Sequence, residues 1–253
     1  MAPNPALVIR TVRDEAELGS VIDDLLVPAF PPAELGSPDA LREAWRNGEM
    51  DVVVAVADER LAGAAIATWP SDPHEVILLT WLVVGQAGRG RGTGGQLVRS
   101  ALARWQERFD PLLVVGEVED PRFNTGSAAT GDPVARLRFY ERLGAQVIDL
   151  PFVMPRVVGQ DRVDHMLLLA LSGRALNDPS QESTAAQEST AAYQSDAAEF
   201  GPALERFLRA YVEASGEERP YRPEIEVMLV AAPYTRIRPH HQGSCRGTTR
   251  LVR

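Results

Sequence analysis

The chain has 253 residues, 45% of them hydrophobic, and a net charge of −9, which is the composition of a soluble globular protein with one domain and an appendage or with two small domains. The acidic balance argues against a nucleic-acid partner, and no run of about 18 uncharged apolar residues exists to span a membrane. The N-terminus lacks a basic segment followed by an apolar core, so we expect no signal peptide and a cytoplasmic location.

The residue types that hold metals or form covalent intermediates are scarce. The single cysteine, Cys245, cannot form an internal disulfide, and the four histidines show no ligand spacing, so we expect no metal site. Every Lys or Arg position is an arginine, so no lysine is available to form a Schiff base or to act as a nucleophile.

Hydrophobic periodicity predicts an alternation of strands and helices along the first two thirds of the chain. The long apolar run "EVILLTWLVV" is typical of a strand buried on both faces. The expected strands are 7–14, 50–58, 61–70, 75–84, 111–120, 145–155 and 163–171, and the expected helices are 15–30, 37–49, 96–109 and 133–144. This order indicates mixed α/β layers and not a regular βαβ series.

The last third of the chain has a different character. Residues 181–192 repeat the hexapeptide "QESTAA" without an apolar face, so we expect a disordered linker over 173–200. A helix over 202–215 follows, with an apolar stripe that should dock on the core or on a second subunit. The stripe consists of Leu204, Phe207, Leu208 and Tyr211.

The stretch "GRGRGTGG" between the long apolar strand and the next helix has three interpretations. A Rossmann fingerprint requires a third glycine where Leu97 stands, and a Walker A loop requires a lysine that the chain lacks. The third interpretation is a cradle for a pyrophosphate. Glycines let main-chain amides approach an anion at a helix N-terminus, and Arg89 and Arg91 add charge.

The spacing Arg89-Gly90-Arg91-Gly92-Thr93-Gly94 resembles the [Gln/Arg]-x-x-Gly-x-[Gly/Ala] signature of the GNAT acyltransferase superfamily. The later segment "RLRFYERLGA" is similar to that family's "FYERLGF" segment, and the element order over residues 7–171 fits as well. The resemblance implies a GNAT-like α/β fold, in which helices flank a central mixed, mostly antiparallel sheet, with a C-terminal helical appendage. We expect an acetyltransferase domain over 1–172, a linker over 173–200, a helical appendage over 201–232 and a disordered Arg-rich tail over 233–253.

The resemblance also implies where acetyl-CoA binds. The amides of the signature loop would hold the pyrophosphate, and the strand end would offer backbone groups to the pantetheine arm and the acyl carbonyl. Strands 76–84 and 111–119 would separate to leave a slot for that arm. The residues implied to bind this co-substrate are Leu82, Val83, Val84, Arg89, Gly90, Arg91, Gly92, Thr93 and Gly94.

Two catalytic residues follow from the resemblance and from chemistry. Tyr140 matches the family's tyrosine that protonates the departing thiolate. The general base is Glu117 as a first choice, because a carboxylate in an apolar strand is costly unless used or paired. The alternatives for the general base are Glu119, Glu75 and an ordered water. The alternative to a catalytic role is a structural one, in which Glu117 forms an ion pair with a nearby arginine.

These features predict an acetyl-CoA-dependent N-acetyltransferase that acts by direct attack on a small-molecule or peptide amine. The chain's acidic charge favours a cationic acceptor, and the linker's reach allows a homodimer. The alternative is a catalytically silent CoA-binding sensor or scaffold on the same fold, which the lack of a carboxylate in "LLTWLVV" suggests.

Overall fold

A single mixed sheet of eight strands runs through the part of the chain that the computed structural model describes, namely residues 7–70, 74–126, 131–155, 164–176, 186–216 and 222–238. The strands are β1 (Val8–Thr11), β2 (Met50–Ala57), β3 (Arg60–Thr68), β4 (Val76–Val84), β5 (Leu113–Glu119), β6 (Gln146–Ile148), β7 (Met166–Ser172) and β8 (Ile237–Arg238). Their order in the sheet is β1-β2-β3-β4-β5-β7-β6-β8. Neighbours pair antiparallel except β4 and β5, which are parallel.

Helices cover both faces of this sheet. They are α1 (Glu15–Val21), which continues as one π-helical turn (Ile22–Leu26), α2 (Val27–Ala29), α3 (Pro32–Leu35), α4 (Pro38–Arg46), α5 (Thr93–Phe109), α6 (Pro133–Glu141), α7 (Ala186–Ala214) and α8 (Pro223–Ala231). Asp14, Ser37 and Asp132 begin α1, α4 and α6, because each side chain accepts a hydrogen bond from a main-chain N–H of the first turn.

Strand alternation sends the apolar side chains of β4 to two different cores. Ile77 and Leu79 belong to the core under α5 and α6, together with Leu97 and Trp105. Val76 and Leu78 belong to the opposite core, which α7 and α8 cover. A third core, on the same side as α7, joins β2 and β3 to α1 and α4. Both faces of the strand are therefore buried, as its continuous apolar sequence predicts.

One buried carboxylate ties β2 to α5. Asp51 is only 5% exposed. It accepts a hydrogen bond from Trp105 Nε1 at 2.9 Å and also bonds to Arg108. Because a buried charge must be paired, this contact fixes the rotation of α5 about its axis and hence the direction of its first turn.

The predicted fold class is confirmed, and most predicted strands and helices of residues 7–172 are present with small shifts at their ends. The predicted strand 145–155 is an exception, because only Gln146–Ile148 form a strand. Two expectations about the last third fail where the structure describes it. A helix begins at Ala186, inside the predicted linker, and residues 237–238 of the predicted disordered tail form a strand against β6. Residues 177–185 and 239–253, which include Cys245, lie outside the described residues.

Helix α7 docks on the sheet of its own chain through the predicted stripe. Leu204 and Leu208 are fully buried and Phe207 is 4% exposed, and all three belong to the core with Val76, Leu78 and Val115. This packing stabilises α7, because most of the stability of a helix in a protein comes from tertiary packing and not from the helix propensity of its residues. The boundary between an acetyltransferase domain and a separable appendage remains a prediction.

Leu204→Ala should test that boundary. Because the side chain is fully buried in a core shared with the sheet, its loss should lower the free energy of unfolding of the whole molecule by about 2–5 kcal/mol. Calorimetry on the full chain measures the effect, with Val230→Ala, at a position 62% exposed, as the neutral control. A main transition that stays at its wild-type temperature would support a separable appendage.

Candidate active site

The sheet opens where β4 and β5 stop pairing. Their register runs from Val76 opposite Leu113 to Leu79 opposite Gly116 and ends there. Beyond that point β4 continues against β3, and β5 continues against β7. The two inner edges that face each other over Thr80–Val84 and Glu117–Glu119 form a slot, whose main-chain groups can bind a ligand in place of a strand.

A β-bulge at Thr80 accounts for the opening. Ile66 of β3 lies opposite Trp81 and Ala67 lies opposite Leu79, so Thr80 has no partner in that register. A bulge bends the strand that carries it. The hydroxyl of Thr80 lies 2.6 Å from that of Thr68, which holds the bulged residue against β3.

The register also shows which backbone groups enter the slot. The N–H of Gly85 donates to the carbonyl of Ala62, and hydrogen-bonded pairs alternate along an antiparallel ladder. Val83 is therefore engaged with Ala64 on β3, and its side chain is buried in the third core. Leu82 and Val84 instead direct their N–H and C=O into the slot. The roles of Leu82, Val83 and Val84 in binding stay predictions, and this register favours Leu82 and Val84 over Val83 for main-chain contacts in the slot.

The glycine-rich loop leads from the slot into α5. Gly90 and Gly92 have φ of 73° and 71°, a conformation that favours glycine. Gly88 has no room for a side chain, because a Cβ would lie 2.4 Å from the carbonyl oxygen of Ala62. The loop is therefore pressed against β3 at one end and turned outward at the other.

The first turn of α5 is free to bind an anion. Within the described residues, no acceptor takes a hydrogen bond from the main-chain N–H groups of residues 91–94. These groups lie at the positive end of the helix dipole. The side chain of Thr93 is buried with an unpaired hydroxyl, so this residue offers its main-chain N–H and not its Oγ.

Arginines surround this turn without carboxylate partners. Arg89 and Arg91 are exposed, and neither pairs with an acid among the residues described. A third arginine was missed by the sequence reasoning. The guanidinium of Arg99 lies 3.6 Å from the place a Cβ would take on Gly95. Its position in the sequence could have indicated this arginine, since Arg99 lies only two helical turns beyond the loop.

Glu117 is the first residue of β5 beyond the last β4 pair, and its side chain is half-buried on the α7 side of the sheet. Tyr211 of α7 donates its hydroxyl to the carboxylate, at 3.1 Å from each oxygen. Desolvation raises the pKa of Glu117 to about 7, and the Tyr211 hydrogen bond opposes this rise. A carboxyl with this pKa gains and loses a proton near neutral pH.

The other carboxylates proposed from the sequence are engaged elsewhere. Glu119 pairs with Arg136 of α6 at 3.1 Å, and Glu75 pairs with Arg206 of α7 at 2.7 Å. Arg122, an expected partner of Glu117, instead binds Asp120. Among the described residues, Glu117 is therefore the carboxylate of this group that bonds to a neutral donor rather than to a cation.

Tyr140 lies on the opposite side of the sheet. Its ring is partly buried against the α5–α6 core and meets Phe139 edge-on, with 5.0 Å between ring centres. The Phe139 ring in turn lies 3.6 Å from the place a Cβ would take on Gly94. Burial raises the pKa of Tyr140 to about 12, so the phenol stays protonated, and its hydroxyl bonds to no described residue. It is free to donate to a ligand.

A cleft of about 1030 Å³ lies beside the loop, between α1, the β2–β3 turn and Arg89. Neither Glu117 nor Tyr140 lines it, so this cleft is not where the two groups meet. In the described ranges, no group of three or more His, Cys, Asp or Glu side chains is placed to hold a metal ion. None of the described helices has both the length and the apolar character of a bilayer span.

Glu117→Gln should stabilise the protein at alkaline pH. The folded pKa of about 7 exceeds the ordinary value of 4.5, so the wild type loses stability as pH rises from about 4.5 to 7. We expect the variant to be more stable by on the order of 1–3 kcal/mol at pH 8, and equal to wild type below pH 4.5. Thermal unfolding across this pH range measures it. Glu119→Gln, which breaks the pair with Arg136, should show no gain, and a less stable E117Q at pH 8 would contradict the assignment.

The chain is similar to known proteins both in sequence and in structure. The family model for the acetyltransferase (GNAT) family matches residues 20–145. A GNAT-family acetyltransferase structure from Bacteroides thetaiotaomicron is 22% identical, with a TM-score of 0.50 over 69% of this chain and 90% of that one. No curated protein has a matching sequence.

Two further solved structures contain acetyl-CoA or CoA. A GNAT acetyltransferase from Elizabethkingia anophelis with acetyl-CoA bound is 16% identical, with a TM-score of 0.45 over 66% of this chain and 97% of that one. A Bacillus subtilis acetyltransferase in complex with CoA is 19% identical, with a TM-score of 0.44 over 66% and 99%. The signature loop and the later "FYERLGA" segment both lie inside the matched residues, and residues 20–145 form an acetyltransferase (GNAT) family domain.

Proposed function

We propose that this protein transfers the acetyl group of acetyl-CoA to an amine by direct attack. The observation that carries the proposal is the placement of Glu117 and Tyr140 on opposite faces of the sheet. A base on one face and an acid on the other allow the amine to arrive from the α7 side while the thiolate leaves towards the α6 side.

The residues present fit acetyl-CoA as a substrate. The unpartnered N–H groups of residues 91–94, with Arg89 and Arg91, supply the donors that a pyrophosphate needs. The free main-chain groups of Leu82 and Val84 suit the amides of a pantetheine arm in the slot. An N–H on this edge would also stabilise the negative charge that develops on the carbonyl oxygen.

Each proton has a partner in this scheme. An alkylammonium has a pKa near 10, so a carboxylate whose pKa is about 7 removes its proton more readily than an ordinary one. Glu117 takes one proton from the ammonium, and the neutral amine then attacks, so that the C–N bond forms as the C–S bond breaks. The second proton lost by the nitrogen goes to solvent, and the phenol proton of Tyr140, which solvent restores, goes to the thiolate. With a pKa of about 12, Tyr140 is a weak acid, and it donates only as charge develops on sulfur.

The alternative of a silent CoA-binding sensor rested on the missing carboxylate in the middle of β4. Glu117 on the neighbouring strand now supplies a carboxylate at the slot. The loop and the slot would serve a sensor equally well, so turnover is the measurement that separates the two.

Gly92→Val should weaken CoA binding at least tenfold while the fold survives. A β-branched residue is strained at φ 71°, and its side chain would keep the pyrophosphate away from the loop amides. Gly36→Val is the matched control, because Gly36 has φ 73° and open space around it but lies far from the signature. Calorimetry with CoA compares the two variants.

Arg91→Ala should also lower the affinity, and more strongly at low salt, because part of this contact is Coulombic. Arg142→Ala, at another exposed arginine, should leave it unchanged. Wild-type affinity in both the Gly92 and Arg91 variants would show that the loop is not the phosphate site.

Turnover should depend on Glu117 and Tyr140. A panel of amines with acetyl-CoA, read by release of free CoA thiol, identifies an acceptor. With that acceptor, Glu117→Gln should lower kcat/KM by roughly 10²–10⁴-fold at pH 8, and Tyr140→Phe should lower kcat. Tyr234→Phe, at a position 82% exposed, is the control. Wild-type rates in E117Q would leave the role of base to water.

A further inference from the structure

We propose that Tyr211, near the end of α7, is a positioning residue for the carboxylate of Glu117, so that the C-terminal helix completes the catalytic site. The inference rests on the proposed role of Glu117. It goes beyond the acetyltransferase domain itself, because the family match ends at residue 145 and Tyr211 lies 66 residues further on.

The hydrogen bond has the geometry of a brace. The phenolic oxygen is 3.1 Å from both carboxylate oxygens, so it lies midway between them and restrains rotation of the group. Glu117 itself is held in β5 opposite Leu168 of β7. A base whose two oxygens are held in place loses less entropy when it takes a proton from a bound amine.

Several contacts keep Tyr211 in place. Its ring stacks on Phe207, with 5.7 Å between centroids and 23° between planes. Val212, the next residue, is 3% exposed and belongs to the α7 core. One turn and a half earlier, Arg206 pairs with Glu75 at the start of β4. The helix that carries the brace is therefore fastened to the same strand that forms the other edge of the slot.

Most charges on the elements around Glu117 pair with one another, and Glu213 of α7 is exposed to solvent. On β4, Glu75 pairs with Arg206 of α7, and on β5, Glu119 pairs with Arg136 of α6. Within α7, Arg209 pairs with Glu205. The described residues of β6 and β7 that pack beside β5 carry no charge. The electrostatic environment of Glu117 is thus set by desolvation and by one neutral donor.

A neutral donor suits a base better than a cation would. An arginine beside the carboxylate would stabilise its charge strongly and make it a weak proton acceptor. A phenol orients the carboxylate and stabilises it modestly, which leaves it able to accept a proton near neutral pH. The pKa of Tyr211 itself is raised well above 10 by burial and by Glu117, so the hydroxyl remains the donor.

Tyr211→Phe removes this hydrogen bond and keeps the ring. The carboxyl titration of Glu117, followed by NMR in ¹³C-labelled full-length protein and assigned with Glu117→Gln, should move up by about one pH unit. The acid limb of the kcat/KM profile should move by the same amount. Activity at pH 6 should therefore fall roughly tenfold, and the deficit should narrow above pH 8.

Two controls separate positioning from packing. Phe207→Leu loosens the stack beneath Tyr211 but keeps the hydroxyl, so it should lower the melting temperature and leave the Glu117 midpoint unchanged. Tyr234→Phe should change neither quantity. A Tyr211→Phe enzyme whose activity falls equally at all pH values, with an unshifted titration, would overturn the proposal and leave Tyr211 a structural residue.

The NMR titration also keeps this inference apart from the proposed function. If no amine is acetylated although the titration shifts, the proposed function fails, and the catalytic meaning of Tyr211 fails with it. If the enzyme is active but the Glu117 midpoint is the same in wild type and Tyr211→Phe, only the role of Tyr211 fails.

Discussion

The bulge at Thr80 turns β4 away from β5 after only four paired positions, and the site follows from that separation. Two strands that diverge inside a sheet leave main-chain groups on both inner edges without partners, and such groups are costly to bury unless a ligand or water binds them. The same divergence leaves Glu117 beside an opening on its β4 side, while β7 pairs with it on the other side. It also allows the glycine-rich loop after β4 to lead into α5 with the first turn of that helix unpaired.

The burial of Glu117 illustrates how this fold maintains an unfavourable group. A desolvated carboxylate destabilises the folded state above neutral pH, and an arginine partner would remove the penalty together with the basicity. Tyr211 offsets only part of the cost. The large core beneath α7 tolerates the remainder, since Leu204, Leu208 and Met228 are fully buried there. Stability and proton affinity therefore depend on the same helix.

Local signals predicted most of the elements that build the site. The glycines and arginines of 88–94 lie next to one another in the sequence, and the alternation of β5 already put Glu117 and Glu119 on one face. The engagement of Val83 with β3 was not predictable, because it depends on a register that the bulge shifts by one residue. Tyr211 was identified only as one residue of an apolar stripe, since its partner lies 94 residues earlier in the chain.

The C-terminal third shows where composition misleads. The "QESTAA" repeat has no apolar face, and its polar composition predicted a linker, yet a helix begins at Ala186 within it. From Phe200 onward this helix carries buried apolar residues that fix it to the sheet, and helix propagation from an anchored segment costs far less than nucleation. A two-residue strand such as β8 is too short to show hydrophobic alternation in the sequence. It is defined instead by its hydrogen-bonded pairing with β6.

Because Glu117 and Tyr140 lie on opposite faces of the sheet, the proposed reaction would need access from both sides at once. The α5–α6 side is where the loop amides and Tyr140 lie, so the thiolate end of the substrate belongs there. The α7 side is left for the acceptor, where Trp81 of β4 packs against the third core and Tyr211 braces Glu117. In the proposed reaction an acceptor amine would approach between α7 and the residues around α1. The choice of acceptor would then depend on the C-terminal helix as much as on the signature loop, since in this scheme the loop contacts only the substrate that donates the acetyl group.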